Sequence, residues 1–522
     1  MLTPSPSSRR GRSRSPPGGP EPESQRSGAR SSRDAYVSPP IASAPSAMSS
    51  SRAHSPVDES MREQSTKTWA QHLGDAISDR LRGLGRQVRN LHVQSGFTGL
   101  GSHVAGFTQA PLRLGFDDVA GADRKAEART FLQDNVLMAE HFFEDVGSLS
   151  SGGPCLRCHR WCPPRLRPDL YFGGFPCQPF SPMRRRKADV HIHAADHEEF
   201  EGAEKQIKHL RESQPAAALL ENSTGAGEPC EFEGEITSGA QYLYERIKDL
   251  YVMAVVRLDF RVWVAISRPR LWIFLVRRDV GSQDIVDKAA EIAREIEEHR
   301  RAAGPPDAIV CSALVDSHTR NPVDSHTRNP LGARASGTDV APADAKEPAW
   351  QTRCKAQRSK WKSLEWPFHD DHPLAAAEFA GMTCTPRERE VLEVRLLQRC
   401  ARFGLNPRDA DELKLARRNF FVDYSQNVRS IARTVNRERS PIDLPVLSGL
   451  CTSFRVYSFE HDQRVSAKDF ALSYGWSASV STRSVEKHLE DLLGEAQALP
   501  CAATAQWALV LAVGRRFVGV WE

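Results

Sequence analysis

The chain has 522 residues, with 70 Lys+Arg against 66 Asp+Glu and a formal net charge of +4 at pH 7. That length allows about two to four domains, and 40% hydrophobic with 26% charged residues suits a chain with a sizeable core. Gly and Pro at 34 each exclude a collagen-like or wholly disordered chain. The near-neutral balance excludes a generic polycation, so any nucleic-acid contact must rest on local positive charge.

Residues 1–65 are dominated by Ser, Pro and Arg, as in Arg9-Arg10-Gly11-Arg12-Ser13-Arg14-Ser15-Pro16. Such a segment cannot bury enough apolar surface to offset chain entropy, so it is expected to be a disordered tail. A plain solvated tail, a phosphorylated segment and a nuclear signal are all consistent with it. Nuclear localisation is the expectation, with organelle targeting by the Arg/Ser-rich N-terminus as the alternative. The apolar runs, such as Ala508 to Val513, fall short of the ~20 residues of a membrane span, so no membrane is expected. The 11 irregularly spaced cysteines fit a reducing compartment better than a disulfide framework.

From Thr66 the pattern becomes periodic. Trp69, Leu73, Ile77, Leu81 and Leu84 predict a helix over 66–90. His92 and Val93 lead into Gly96-Phe97-Thr98-Gly99-Leu100-Gly101. Helices are predicted at 126–135, 206–212 and 242–250, and strands at 169–172, 216–220, 252–258 and 271–276. This alternation argues for a parallel α/β sheet. A charged helix is expected at 285–301. The octapeptide Val-Asp-Ser-His-Thr-Arg-Asn-Pro stands at 315–322 and again at 323–330, which reads as a duplication in a surface loop. A second folded region is expected from Trp350 to about 455. Within it Thr385-Pro386-Arg387-Glu388 forms a capping box opening a helix through Arg399.

The string Gly174-Phe175-Pro176-Cys177-Gln178-Pro179-Phe180-Ser181 follows the strand Asp169-Leu170-Tyr171-Phe172. A cysteine between two prolines sits on restrained backbone, which suits a held nucleophile. The string resembles motif IV of the DNA cytosine-5 methyltransferases, which carries their catalytic cysteine. Further motifs of that family follow in order. Phe97, Gly99 and Gly101 resemble the turn that holds S-adenosylmethionine, where glycine lets backbone approach a cofactor. Asp123 lies where a ribose-binding acid is expected, although the family's glutamate aligns with Gly121. Asp145 resembles the aspartate near the adenine. Leu219-Leu220-Glu221-Asn222-Ser223 resembles the Glu-Asn-Val motif, and Ser267-Arg268-Pro269-Arg270 resembles Gln-x-Arg-x-Arg, with Ile266 at the glutamine. Arg464-Val465-Ser466-Ala467-Lys468-Asp469 with Gly475-Trp476 resembles the ninth motif. Leu493-Gly494-Glu495-Ala496 resembles the last, with Glu495 at its asparagine.

The resemblance covers roughly 90–280 and 455–522, and the departures at Gly121, Ser223, Ile266 and Glu495 mark a divergent member. It implies a class I S-adenosylmethionine-dependent methyltransferase sheet, Rossmann-like, with a smaller target-recognition region. The implied organisation is a tail at 1–65, a catalytic domain at 66–280, a recognition region at 281–455 and a returning segment at 456–522. The implied activity is that of a DNA (cytosine-5)-methyltransferase with S-adenosyl-L-methionine as cofactor. In that reading Cys177 attacks C6, Glu221 faces N3 and the amine, and Arg270 holds O2. Phe97, Gly99, Gly101, Asp123, Asp145 and Gly494 would line the cofactor. The implied partner is double-stranded DNA, bound by a monomer, with the target base flipped out. Gln178, Ser181, Arg184, Arg185, Arg186 and Arg268 are the expected DNA contacts. Arg353, Lys355, Arg358, Lys360 and Lys362 interleave with Trp350, Trp361 and Trp366, as phosphate and stacking contacts or as a basic linker with core tryptophans. Two alternatives accompany this reading. One is a catalytically decayed DNA-binding relative, and the other is a tRNA cytosine-5 methyltransferase.

Cys155, Cys158, His159 and Cys162 place four potential zinc ligands within one short segment. Single-cluster spacing is unusual for structural zinc, which normally draws two ligands from elsewhere. Cys-x-x-Cys-His also matches a c-type haem attachment, without other signs of electron transfer.

Overall fold

The computed structural model describes residues 67–84, 90–109, 115–136, 138–180, 199–232, 235–311, 348–362, 385–407, 409–425, 446–448 and 454–514. The expected tail, Ser181, Arg184, Arg185, Arg186, the octapeptide copies and Trp366 lie outside the described residues, as do the side chains of Arg358, Lys360, Trp361 and Lys362.

The strands of the main sheet and of the hairpin beside it are, in chain order, β1 (Leu91–Gly96), β2 (Phe116–Ala122), β3 (His141–Phe143), β4 (Gly153–Cys155), β5 (Arg160–Cys162), β6 (Leu170–Gly173), β7 (Ala217–Ser223), β8 (Tyr251–Asp259) and β9 (Pro269–Arg277). Seven of them form one sheet in the order β8-β9-β7-β6-β1-β2-β3. The run β3-β2-β1-β6-β7 is parallel. The expectation of a parallel sheet needs one correction: β9 is antiparallel to both β7 and β8. Since β8 feeds β9 through a short connection, the second strand must run back beside the first. The result is a doubly wound α/β sheet with one reversed strand, β9, beside its edge.

Both faces of the sheet are covered, as alternation along the strands requires. Leu170, Phe172, Ala217, Leu219, Trp272, Phe274 and Val276 face one core. Tyr171, Ala218, Leu220, Leu271, Ile273 and Leu275 face the other. Each such large apolar side chain contributes about 1.5–3 kcal/mol by leaving water. The principal helices are α1 (Trp69–Leu84), α2 (Ser102–Thr108), α3 (Ala126–Asn135), α4 (Phe200–Ser213), α5 (Gly239–Glu245), α6 (Gln283–Ala302), α7 (Ala349–Lys362), α8 (Pro386–Phe403), α9 (Ala467–Ser473), α10 (Leu489–Glu495) and α11 (Leu499–Val513).

Helix α6 buries Ile285, Val286, Ala289 and Ile296 in the first core. This helix, which follows the expected boundary at 281, shares that core with the sheet. Helix α11 is apolar all round and buried from Leu499 to Val510, as a helix enclosed by neighbours must be. The segment Leu489–Val513 has the length and composition of a membrane span, which corrects the view that every apolar run is too short, but 83% of its most apolar window is buried inside the fold. The returning C-terminal segment thus supplies the centre of one helical layer.

A separate core joins Cys354 of α7, Val391, Leu392, Leu396 and Cys400 of α8, and Phe420, Tyr457 and Phe459. Thr385 and Glu388 make the expected capping box at the start of α8. Trp350 packs against this core while Arg353 and Lys355 are exposed.

Candidate active site

In a doubly wound sheet, ligands bind beyond the carboxyl ends of the strands where the strand order reverses. Here the reversal lies between β1 and β6. The turn at Phe97–Gly101 follows β1, Asp123 follows β2, Asp145 follows β3 and Cys177 follows β6. Glu221 lies near the carboxyl end of β7. Because β9 runs the other way, its first residues reach the same edge, and Arg270 pairs with Ser223. Arg270 is therefore diagonal to Glu221 on one face, within reach of a long side chain.

Three contacts hold the Cys177 loop. Asn222 Nδ2 donates to the Phe175 carbonyl at 3.0 Å, in a buried bond. Pro176 lies over Gly202 of α4, where a Cβ would meet its Cδ at 2.6 Å. Phe180 lies over Gly239 of α5, again at 2.6 Å from a would-be Cβ, and stacks edge-on with Phe175. The Phe180 N–H closes a short 3-10 turn on the Cys177 carbonyl at 3.0 Å. The thiol is thereby fixed by its neighbours rather than by its own bonds. Gln178 is exposed beside it.

The charges around the thiol oppose one another. Burial pushes the Cys177 pKa up; Arg270 and Arg268 pull it down, while Glu221 and Glu495 push it further up. The net direction is upward, so the resting group is a thiol. Arg270 Nε donates to Glu221 Oε1 at 2.8 Å. For Glu221 to serve a substrate base, that pair must open or share its oxygens.

Arg268 was expected at DNA and is instead turned inward. It is 2% exposed and donates to the carbonyls of Gly494 and Ala496, each at 2.8 Å. A guanidinium with several donors can cap adjacent carbonyls, and here it ties the start of β9 to the end of α10. Gly494 thus enters the site through its carbonyl, and Glu495 pairs with Lys125, which follows β2.

Phe97, Gly99 and Gly101 all have positive φ, at 53°, 56° and 78°. A Cβ on Gly99 would meet nothing nearer than 3.9 Å, so the space above this turn is open. Asp123 accepts from Gly99 N at 2.7 Å and Lys125 N at 2.8 Å, one bond on each oxygen. Burial pushes its carboxyl up against these two donors. One lone pair on each oxygen remains to accept from a further donor. Gly121 has its own packing reason: a Cβ there would meet the Phe142 ring at 2.8 Å. Asp145 is exposed and accepts from Gly147 N at 2.7 Å and Lys205 Nζ at 2.5 Å.

Beside β3 the cysteines gather, with one change to the expected set. The ligand-bearing atoms of His141, Cys155, Cys158 and Cys162 all lie within 4.8 Å of one another. His159 is exposed, with φ 53°, in the turn between β4 and β5. His159 is not part of this cluster, and His141 from the neighbouring strand stands in its place. No local spacing could have marked His141, which precedes Cys155 by a whole loop. The clamp from Arg268 and the bond from Asn222 were missed for the same reason, since both depend on partners distant in sequence.

No family model and no curated protein matches the chain. Among solved structures it is similar to an Escherichia coli prophage-encoded protein described as a DNA modification methyltransferase, 13% identical, TM-score 0.41, covering 80% of this chain and 98% of that one. It is also similar to the S. pombe Dnmt2 methyltransferase, 13% identical, TM-score 0.37, covering 81% and 98%. The Entamoeba histolytica methyltransferase EhMeth is 11% identical, TM-score 0.35, with coverage of 81% and 98%. Similarity at this level carries no side-chain correspondence, and the functional reading rests on the residues described above.

Proposed function

We propose that this chain transfers a methyl group from S-adenosyl-L-methionine to carbon 5 of cytosine in double-stranded DNA. The observation that carries the reading is the meeting of Cys177, Glu221 and Arg270 from three strand ends at the edge where the strand order reverses. The open turn at Phe97–Gly101, with Asp123 behind it, suits the cofactor, and Gly494 with Lys125 and Glu495 closes that side. When bound there, S-adenosylmethionine supplies an electrophilic methyl group.

The chain's residues would then act as follows. Cys177, as thiolate, forms a bond to C6 of the flipped cytosine and gives C5 the electron density it lacks. Only the thiolate is competent, and the buried thiol resists ionisation. Moving Glu221 from Arg270 onto the base, where it accepts from the amine and hands on a proton to N3, offsets one of the two acidic neighbours that raise it. Arg270, so released, stabilises charge developing at O2. C5 would then take the methyl group, the cofactor's sulfur keeping the bonding pair, and loss of the C5 proton to water expels Cys177 and restores the ring. Asn222 keeps the Phe175 carbonyl, and so the loop, in place throughout.

The test is transfer of labelled methyl groups to unmethylated duplex DNA by the full chain, with tRNA in parallel. Transfer to DNA that Cys177→Ser abolishes is the expected result. Transfer to tRNA alone, or to DNA by the serine variant, would overturn the reading. Calorimetry with S-adenosylmethionine separates the decayed alternative, which binds none at millimolar cofactor. Expression in cells lacking cytosine methylation, followed by genome sequencing, reads the same activity as new 5-methylcytosine.

A further inference from the structure

We propose that His141, Cys155, Cys158 and Cys162 form a tetrahedral zinc site that fastens the β4–β5 hairpin to the edge strand of the sheet. This inference does not depend on methyl transfer. Tetrahedral zinc with Zn–S of about 2.3 Å and Zn–N of about 2.0 Å sets its ligand atoms roughly 3.5–3.8 Å apart. His141 Nδ1 lies 3.4 Å from Cys158 Sγ and 3.9 Å from Cys155 Sγ, which already approximates that spacing without the ion. All three cysteines are free thiols. A set of three sulfurs and one imidazole in tetrahedral array is suited to zinc.

The backbone is shaped for the same purpose. Cys155 and Cys162 end β4 and β5, which pair antiparallel over only three residues each. A hairpin this short is marginal by itself. The turn between the strands brings Cys158 back, and its N–H donates to Cys155 Sγ at 3.3 Å. Such a donor stabilises a coordinated thiolate. The hairpin is registered on the sheet by Leu156 N, which donates to the Phe142 carbonyl at 2.8 Å and so brings His141 alongside. Arg157 Nη1 holds the loop before His141 through the Met138 and Ala139 carbonyls, both at 2.7 Å. Gly152, at φ 76°, admits the Trp161 ring, which a Cβ would meet at 2.6 Å.

Loaded, the site has net charge −1, since the divalent ion meets three thiolates and a neutral imidazole. Arg157 and Arg165 stand beside it. Arg165 Nη2 lies 3.2 Å from His141 Nε2. With Nδ1 on the metal, Nε2 carries the proton and no longer accepts from Arg165. The guanidinium then turns to Glu140, whose carboxylate is 3.9 Å away.

The test uses the full chain, expressed without a metal-binding tag and dialysed. Zinc released by thiol modification is measured with a chromogenic chelator. One equivalent per chain is expected, and exchange with cobalt should give visible bands of tetrahedral geometry with sulfur-to-metal charge transfer. His141→Ala and Cys158→Ser should each lose at least about tenfold in metal retention, the least that even a ligand's hydrogen-bond partner contributes. His159→Ala should retain the metal. A reduced wild-type chain that holds no zinc and takes up no cobalt would overturn the site, even if every variant misfolds. So would loss of metal in His159→Ala with retention in His141→Ala.

Discussion

Two groups of cysteines follow one another along the chain and meet opposite surroundings. Cys177 sits alone on a loop whose nearest charges cancel, and burial decides the balance by raising its pKa. Cys155 is also opposed by burial. There, N–H donors from Cys158 and the Phe142–Arg157 backbone, with the His141 contact, outweigh it and bring the thiol down to about 6. Cys158 moves the other way, up to about 11, because it lies against Cys155 and then Cys162. A thiol surrounded by donors and other thiols is built to share a charge. A thiol between two arginines and two glutamates is built to be switched.

The largest expected effect breaks the comparison at its sharper end. If Cys177 is the nucleophile, Cys177→Ser should lower methyl transfer by a factor on the order of 10⁴ or more. Thermal unfolding should barely change, since the three anchors of the loop use Asn222, Pro176 and Phe180 rather than the thiol. A serine variant that keeps a hundredth of the rate would remove Cys177 from the chemistry.

Next in size is Glu221→Gln, for which two readouts should move in opposite directions. Glu221 raises the Cys177 pKa, so its neutral replacement should lower it. Alkylation of Cys177 by iodoacetamide at pH 7 should then accelerate, because more thiolate is present. Methyl transfer should fall by about 10²–10⁴, the range for a lost proton-handling group. Arg270→Ala should slow alkylation instead. In the parent chain, alkylation should rise with pH through a midpoint above the ordinary thiol value. A midpoint below that value, or matched changes in both assays, would contradict the opposed-charge account.

How much of this was legible in the sequence follows from how far each interaction reaches. The Pro-Cys-Pro loop, the glycine turn, the capping box at Thr385 and the long periodic helices are local, and the residues that make them stand together. Strand β3 is three residues long and too short for periodicity to mark. The reversed direction of β9 follows from its pairing rather than from its residues. The same limit explains the two exchanged side chains. Arg268 sits in a family-like motif, yet its carbonyl partners arrive from more than two hundred residues downstream. His159 is next to Cys158 in the chain, but it is not part of the cluster and His141 takes its place.

Asn222→Ala tests whether the loop is held from outside. Removing the amide leaves the buried Phe175 carbonyl without this donor, which should cost about 1–3 kcal/mol. The loss should appear as a lower midpoint in urea with an unchanged slope. Methyl transfer should fall more than stability alone explains, because the loop that positions Cys177 is loosened. Unchanged stability would mean that Gly202 and Gly239 suffice as seats for Pro176 and Phe180.

The smallest effect concerns Glu495, one of the departures from the family pattern. It pairs with Lys125 across the cofactor side and adds one of the two acidic influences on Cys177. The pair is more than a third exposed on both sides, so Glu495→Asn should change stability by no more than about 1 kcal/mol. The thiol should respond in the same direction as in Glu221→Gln and by less, since Glu495 ranks below Glu221 and both arginines in its influence. Alkylation at pH 7 should therefore quicken slightly, while methyl transfer, which does not use this carboxylate, should hold or rise. A fall in transfer without a fall in stability would mean that the Lys125–Glu495 pair binds the cofactor directly rather than only closing the side of its site.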